Sequence, residues 1–129
     1  MVLANYPVSA TLAAADIDRA RAFYRDTLGL ELSPESPEVG ALYECGSGTL
    51  LFIYPSEFAG TNQATGATWR VDDLADVVAR LQGRGVVFEE YDMGEAATVD
   101  GIAEMPDGSK AAWFEDTEGN IIGLVEMSG

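Results

Sequence analysis

The side chains that most often bind metals or act as nucleophiles are nearly absent from this sequence. Its 129 residues contain no histidine and only one cysteine, Cys45. Histidine is the commonest metal ligand in proteins, so a metal site would have to be built without it. A single cysteine also excludes an internal disulfide and any zinc site made of several thiolates. Because Cys45 falls in a predicted strand, we expect it to fill space in the core.

Carboxylates are the remaining candidates for chemistry. Glu44, Glu104 and Glu115 are close enough in the presumed fold to be considered for a hard cation, but their spacing matches no known site. No metal ion and no other cofactor is therefore expected. Glu44 follows Tyr43 in a predicted strand, and whichever of the two faces a cleft could act as an acid or base. The alternatives are a core position for Tyr43 and a solvated edge position for Glu44.

The charge balance narrows the choice of partner. Twenty-two acidic residues against seven basic ones give a net charge of −15. This charge repels phosphate backbones and anionic membrane surfaces, so no nucleic acid and no membrane is expected as a partner. It favours a cationic small molecule over an anionic one, although an acidic, highly soluble surface is the more common cause of such a charge balance. No apolar run is long enough to cross a bilayer, and we expect a cytoplasmic protein.

The elements that must position these side chains occur twice. Residues 8–17 align with residues 65–74 at a constant offset of 57. In both copies a short alternating segment runs into an aspartate, Asp16 or Asp73, which can cap the amides of a following helix. Each helix pattern then ends at glycine, and strand-like segments resume.

The sequence predicts an α+β fold in which a strand, a helix and three strands occur twice. The strands predicted after the helices are 30–32, 41–45 and 49–54 in the first copy, and 86–90, 110–115 and 121–126 in the second. We expect one domain over residues 1–129, with module 1 at about 1–57 and module 2 at about 62–129. Residues 91–107 have no counterpart in module 1. They could cover a site, add a short strand or be disordered.

The alternation of side chains across each strand predicts which residues face the helices and which face a concave surface. Core positions are expected for Leu12, Leu50, Phe52, Tyr54 and Trp69. Concave positions are expected for Ser9, Thr11, Leu51, Ile53, Gly66, Thr68, Arg70 and Gly123. With Glu44 and Trp113, which either stacks on a ligand or is structural, these eight form the predicted ligand-binding set. Such a surface suits a small molecule or a second subunit, and both hold if the cleft lies at a dimer interface.

Three segments resemble one superfamily. Residues 16–30, DIDRARAFYRDTLGL, resemble the first-helix signature of the vicinal oxygen chelate proteins, which include glyoxalases, bleomycin-resistance proteins and extradiol dioxygenases. Residues 114–124 resemble their final hairpin, with Thr117 where proline is common, and residues 71–74 resemble the entry to their second helix. The resemblance covers nearly the whole chain. It implies two β-α-β-β-β modules whose sheets curl around a cleft, usually completed by homodimerisation.

The resemblance also implies where a metal would be bound. In the metal-using members, His and Glu hold a divalent ion that polarises vicinal oxygens of the substrate. By position, these ligands fall at Ser9, Leu51, Gly66 and Gly123, and none of them can replace His or Glu. We therefore expect a metal-free member, without glyoxalase or dioxygenase activity. Small residues at these positions are also expected to enlarge the cleft.

The leading hypothesis is a homodimeric small-molecule-binding protein of the bleomycin-resistance type. It would sequester an amphipathic or cationic compound, such as an antibiotic. The first alternative is a metal-independent enzyme, lyase-like or isomerase-like, that uses a cleft carboxylate or tyrosine. The second is a protein-interaction module whose cleft is filled by the protein's own side chains. The sequence does not decide whether any reaction is catalysed.

Overall fold

The computed structural model describes residues 2–91 and 97–128, which form two mixed sheets, two α-helices, two short 3-10 turns and a π-helical turn, Phe23–Thr27, that continues the first α-helix. The elements of the first sheet are β1 (Ala10–Ala14), α1 (Ile17–Ala22), β2 (Glu31–Leu32), β3 (Ala41–Glu44) and β4 (Leu50–Pro55). Those of the second are β5 (Thr65–Arg70), α2 (Leu74–Gln82), β6 (Thr98–Val99), β7 (Ile102–Glu104), β8 (Lys110–Glu115) and β9 (Ile121–Glu126). The predicted α+β class is confirmed. Neither helix of the described chain is long and apolar enough to cross a bilayer.

The two sheets share one topology. The strand order is β1-β4-β3-β2 in the first sheet and β5-β9-β8-β7-β6 in the second. In each, the strand before the helix pairs in parallel with the last strand of the unit, and the other pairs are antiparallel. A helical crossover is the usual connection to a parallel neighbour. The repeat in the sequence is therefore a repeat of topology, with one strand more in the second unit.

The strand predicted at residues 86–90 is wrong. This segment makes a single bridge, between Phe88 and Phe114, and β7 pairs with the start of the same edge of β8 through Ala103 and Ala111. The strands β6 and β7 come from the predicted segment 91–107, for which an extra short strand was one expectation. Residues 92–96 of that segment lie outside the described residues.

Both helices begin where the sequence predicts. The carboxylate of Asp16 accepts a hydrogen bond from the backbone N–H of Arg19 at 3.1 Å, and that of Asp73 accepts one from Asp76 at 3.2 Å. These bonds satisfy amides that have no partner in the first turn of a helix. The predicted caps are confirmed, and they orient each helix across the back of its sheet.

One core joins the two modules. It lies on the helix side of both sheets and includes Leu12, Tyr24, Tyr43, Leu51, Ile53, Leu74, Val78, Phe114, Ile122 and Leu124. The ring of Phe23 in module 1 lies 5.4 Å from Tyr24 and 6.4 Å from Phe114 of module 2, measured between centroids. Burial of this apolar surface is the main source of stability, and here it also fixes one sheet against the other.

The predicted orientation of β4 is wrong. Leu51 and Ile53 are 2% and 1% exposed in the core, whereas Tyr54 is 41% exposed on the concave side. Leu51 pairs with Ala10 and Ile53 with Leu12, so both share the face of β1 that packs on α1. Every residue from Leu50 to Tyr54 is apolar or aromatic, so alternation in the sequence could not distinguish the two faces.

A buried polar cluster fastens the β8–β9 turn of module 2 to module 1. The Tyr24 hydroxyl donates to Asp116 Oδ2 at 2.6 Å, and Asn120 Nδ2 donates to the carbonyl of Ala13 at 2.7 Å. Burial, followed by the charge of Asp116 and this hydrogen bond, raises the pKa of Tyr24, so the phenol remains a donor.

Glu118 is the second half of this contact. Its side chain is fully buried and accepts hydrogen bonds from Arg19 Nε at 2.7 Å and from the backbone N–H of Asp16 at 2.8 Å. Thr117 Oγ1 donates to the same carboxylate. Burial opposes its ionisation, but the hydrogen bonds from Arg19, Asp16 and Thr117 lower the pKa of Glu118 to about 2. The carboxylate is therefore ionised at neutral pH and holds helix α1 against the turn.

Candidate functional site

Two clefts open where β1 and β5, the edge strands of the two sheets, meet. Cleft 1 has a volume of about 500 Å³ and is lined by Val8, Ala10 and residues 45–47, 49–51 and 67–70. Cleft 2 has a volume of about 460 Å³ and is lined by residues 11–13, Tyr54, Phe58, Asn62 and residues 64–66 and 120–121. In cleft 1 the start of β1 lies beside the end of β5. In cleft 2 the later residues of β1 lie beside the start of β5. The two strands therefore run in opposite directions along this seam.

The internal repeat relates the two clefts to each other. At the offset of 57, Trp69 and Arg70 of cleft 1 correspond to Leu12 and Ala13 of cleft 2. Thr68 of cleft 1 likewise corresponds to Thr11. The two sites thus share a frame, but only cleft 1 carries a tryptophan and an arginine at these equivalent positions. Aromatic and charged groups are the ones that fix and orient ligands, so cleft 1 is the candidate site.

The β3–β4 turn forms the outer wall of cleft 1. The backbone N–H of Cys45 donates to the carbonyl of Thr49 at 2.8 Å, and Thr49 Oγ1 donates to the carbonyl of Gly46 at 2.7 Å. The tight turn between these strands is confirmed, and Ser47 at its tip has a φ of 57°. These bonds hold hydroxyl groups at the rim, while Val8 and Leu50 supply apolar surface.

Trp69 and Cys45 form the inner wall. Both are half-buried, and both pack against the core while lining the cleft. Burial raises the pKa of the Cys45 thiol, and a polar contact with Trp69 opposes this only in part. The thiol is therefore mostly protonated at neutral pH, which supports the expected space-filling role over a reactive one.

Among the residues that the structure describes, Arg70 is the one basic side chain without a salt-bridge or hydrogen-bond partner. Five of the seven basic side chains form salt bridges: Arg19 with Glu118, Arg21 with Asp18, Arg25 with Asp26, Arg80 with Asp76 and Lys110 with Glu126. Arg84 donates to the carbonyl of Thr27 at 3.1 Å. Within residues 2–91 and 97–128, Arg70 has no carboxylate within 4 Å and donates no hydrogen bond. Its guanidinium is thus available to a ligand.

The structure divides the predicted ligand-binding set. Leu51, Thr68 and Arg70 line cleft 1, and Thr11 and Gly66 line cleft 2. Neither cleft is lined by the remaining five, which are Ser9, Glu44, Ile53, Trp113 and Gly123. Ligand contact by any of the ten stays a prediction. Leu51 and Ile53 were chosen because a concave position was expected for them, and their burial in the core removes that reason.

The two acid–base candidates do not meet in a cleft. Tyr43 is 2% exposed in the core, and burial raises the pKa of its phenol. Glu44 is exposed at the end of β3, where it pairs across the ladder with Glu31. The core interpretation of Tyr43 is therefore confirmed, and Glu44 lies at an exposed strand end.

The sequence assigned Trp69 to the core and Trp113 to the possible ligand contact. Trp69 does pack on the core, but it also lines cleft 1. Trp113 packs edge-to-face on Tyr91, with 5.4 Å between centroids, and its Cδ1 lies 3.5 Å from where a Cβ on Gly123 would be. The available signal was the repeat. The repeat makes β5 the counterpart of β1, and both are edge strands of their sheets. A side chain on the core face of an edge strand borders the gap between the two sheets, which is why Trp69 lines cleft 1.

The strand register changes one of the four positions carried over for a metal. Thr11 pairs with Phe52, and its repeat counterpart Thr68 pairs with Gly123. The residue of module 1 that is equivalent to Gly123 is therefore Phe52, so the β4 position carried over for a ligand is Phe52 and not Leu51, one residue earlier. A divalent ion needs lone-pair donors, and these positions offer one hydroxyl, from Ser9. In the described part of the chain, no three Cys, Asp or Glu side chains are grouped to hold an ion.

The expected enlargement at the two glycine positions is also wrong. A Cβ on Gly66 would lie 2.7 Å from Leu12 Cδ2. A Cβ on Gly123 would lie 3.1 Å from Thr68 Oγ1 and 3.2 Å from Thr65 Cγ2. Neighbouring side chains already occupy the space beside both glycines, although Gly66 is exposed and Gly123 is buried. The volume of cleft 1 comes instead from the seam between the sheets.

Comparison with known proteins agrees with this frame. The model of the Glyoxalase/Bleomycin resistance protein/Dioxygenase superfamily matches residues 7–124, and the chain belongs to that superfamily. No curated protein matches it in sequence.

Solved structures match over nearly the whole chain. TnmS3, an antibiotic-binding protein from Streptomyces sp. CB03234, is 26% identical, with 99% of this chain and 100% of that chain covered and a TM-score of 0.72. A glyoxalase/bleomycin resistance protein from Catenulispora acidiphila DSM 44928 is 26% identical, with 96% and 100% covered and a TM-score of 0.70. A lactoylglutathione lyase from Agrobacterium tumefaciens, 22% identical with 96% and 95% covered and a TM-score of 0.71, shows the fold alone.

Proposed function

We propose that this protein is a metal-free small-molecule-binding member of its superfamily, and that it sequesters an amphipathic compound, such as an antibiotic, in cleft 1. The observation that carries the proposal is a cleft of about 500 Å³ in which the indole of Trp69 lies among apolar and hydroxyl-bearing side chains. Ligand sites are mostly apolar with a few polar groups, and their usual volumes include this one. The similarity to an antibiotic-binding protein supports binding as the function.

The metal-free state is supported by the donor set. The four positions at which the superfamily's ion would be held carry one hydroxyl and no carboxylate or imidazole. The metal-independent enzyme has less support, because the phenol of Tyr43 is buried and Glu44 is exposed at a strand end. The protein-interaction module also has less support, because the protein's own side chains leave cleft 1 open.

Homodimerisation and a cytoplasmic location belong to the same proposal. The concave side carries exposed apolar side chains, among them Val8 at 89%, Phe58 at 68% and Tyr54 at 41% exposure. Exposed apolar side chains of this size are common at interfaces, and a second copy of the chain is the partner we propose for them. The cleft at the seam would then lie near that interface.

The two tryptophans give a direct test of cleft 1. In a proton–nitrogen spectrum the chain has two indole signals, one from Trp69 in the cleft and one from Trp113 outside it. The chain is titrated with a panel of compounds that contains bleomycin and substituted anthracenes. We expect some of these compounds to bind, and each compound that binds should shift the Trp69 signal and leave the Trp113 signal unchanged. The variants Trp69→Phe and Trp113→Phe assign the two signals.

The same spectra can contradict the proposal. If no compound shifted the Trp69 signal at concentrations up to about 1 mM, which corresponds to about 4 kcal/mol of binding free energy, cleft 1 would not be a binding site for this class. If the compounds shifted Trp113 alone, the ligand would lie on the concave face of the second sheet, where Trp113 pairs with Gly123, and not in cleft 1.

A further inference from the structure

We propose that cleft 1 selects ligands that carry an anionic group beside an aromatic ring, with Arg70 binding the anion on the concave face of the edge strand β5 and Trp69 contacting the ring from the core face of the same strand. The inference rests on the proposed function and adds the chemical class of the ligand. It reverses the cationic preference that the net charge of −15 suggests. The two expectations differ because one follows from the whole surface and the other from the atoms that a bound ligand would touch.

The unpaired state of Arg70 is the first argument. Acidic residues outnumber basic ones by 22 to 7, so a basic side chain on this protein rarely lacks a carboxylate nearby. Among the described residues the other six basic side chains all have salt-bridge or hydrogen-bond partners, and Arg70 has none. A guanidinium offers five donors in a planar fork that matches a carboxylate in two parallel hydrogen bonds.

The lining of the cleft is the second argument. Of the described residues that line cleft 1, Arg70 alone is charged, and the others are apolar, small or hydroxyl-bearing. A ligand cation would therefore meet a like charge with no carboxylate to offset it. An anion would meet a single complementary charge beside the apolar residues of the cleft, where its hydrogen bonds to the exposed Arg70 guanidinium are strengthened by the opposite charges.

The charge of Arg70 and the net charge of the protein act on a ligand over different distances. At physiological ionic strength, charges on an exposed surface are screened over about 8 Å, so most carboxylates of this protein act weakly on a ligand in the cleft. The overall charge changes how fast a charged ligand approaches, whereas the contacting groups set how tightly it is held. An anionic ligand is thus slowed by the surface and retained by Arg70.

The repeat provides a comparison within the chain. Cleft 2 has nearly the same volume and the same strand frame, but Leu12 and Ala13 occupy the positions of Trp69 and Arg70. No residue of its described lining is charged. Trp69 and Arg70, to which we assign ligand selection, are therefore what distinguishes cleft 1 from the related cleft 2.

A matched set of ligands tests the inference. Anthracene-9-carboxylate, anthracene-9-carboxamide and 9-(aminomethyl)anthracene differ mainly in charge, and each is titrated while the Trp69 indole signal is followed. We expect the carboxylate to bind about tenfold more tightly than the carboxamide, and the amine to bind most weakly. Arg70→Gln should remove the tenfold advantage of the carboxylate and change carboxamide binding by less than about twofold. Arg70→Lys should retain part of the advantage.

Arg84→Gln is the control, because it changes the net charge by the same amount at an arginine that does not line cleft 1. It should leave the order of the three ligands unchanged. The inference is overturned if the amine binds as tightly as the carboxylate, or if Arg70→Gln weakens all three equally. In those cases binding in cleft 1 still stands. If none of the three shifts the Trp69 signal, the inference fails, and the proposed function fails as well if no other compound of the panel shifts it.

Discussion

Replacing Glu118 with glutamine is expected to lower the free energy of unfolding by about 2 kcal/mol at pH 7. The buried carboxylate accepts hydrogen bonds from Arg19 and from the backbone N–H of Asp16, and glutamine presents an N–H₂ group to at least one of these donors. Breaking a fully buried ion pair costs about 3 to 5 kcal/mol, and an exposed pair is worth about 1 kcal/mol or less. Arg19 is 53% exposed, which places this pair between those limits. Urea unfolding measures the change.

The pH dependence of the free energy of unfolding is a second test of the pair formed by Glu118 and Arg19. The pKa of Glu118 falls from 4.5 to about 2 on folding, so its contribution is complete above about pH 4.5. The contribution is lost as the pH decreases from about 4.5 to 2, because the carboxyl must then be protonated in the folded protein. The stability of Glu118→Gln should therefore vary less over this interval than that of the unchanged protein.

Asp26→Asn is the matched control for this experiment. Asp26 also pairs with an arginine, Arg25 at 2.8 Å, and a hydrogen bond from that arginine lowers the pKa of its carboxyl. Both side chains are more than 60% exposed, at 68% and 63%. Water screens the pair, so no measurable loss of stability is expected. Equal losses in the two variants would contradict the role that we assign to burial of Glu118.

Replacing Thr49 with tryptophan is expected to weaken ligand binding by about 100-fold, which corresponds to about 2.7 kcal/mol. Thr49 lines cleft 1 at the base of the β3–β4 turn and is exposed, so a large side chain there would occupy ligand volume without disturbing the core. Calorimetric titration with anthracene-9-carboxylate measures the loss. Urea unfolding of the same variant should match that of the unchanged protein.

Thr61→Trp is the control for the cleft substitution. Thr61 is also exposed, and its hydroxyl donates to the carbonyl three residues earlier at 2.7 Å, as that of Thr49 does. It lines neither cleft 1 nor cleft 2. Binding should be unchanged in Thr61→Trp. A loss of the same size in both variants would show that the effect does not arise in cleft 1.

The helix starts and the β3–β4 turn were predictable because each depends on residues that are adjacent in the sequence. Asp16 and Asp73 cap helices that begin one residue later, and the glycines at 46 and 48 form the turn between β3 and β4. Capping and turn formation depend on a few adjacent residues, so a single sequence is sufficient to locate them.

The orientation of β4 and the position of the site were not predictable in the same way. Residues 50–54 are apolar or aromatic at every position, so only the pairing of β4 with β1 shows which of them are buried. Cleft 1 arises where two edge strands from different sheets meet, and that contact depends on the shared core. The sequence contained Trp69 and Arg70, but nothing near them in the chain indicates that they face the turn at residues 46–48 across the seam.

The shared core and the Glu118 contact bear on binding as well as on stability. Together they hold module 1 against module 2, and cleft 1 is bounded by strands of both. A cleft that is formed before the ligand arrives requires little ordering on binding, which leaves more of the contact energy for affinity. Function in this account depends on the contact between the modules as much as on the residues that line the cleft.

Metal independence of binding in cleft 1 is the central claim, and one titration tests it most directly. Protein treated with EDTA and dialysed is titrated with anthracene-9-carboxylate while the Trp69 indole signal is followed, and the titration is repeated with equimolar Zn²⁺, Ni²⁺ or Mn²⁺. We predict the same Kd, within about twofold, in all four titrations. Binding that occurs only with a metal ion, or that becomes tenfold or more tighter with one, would contradict the account.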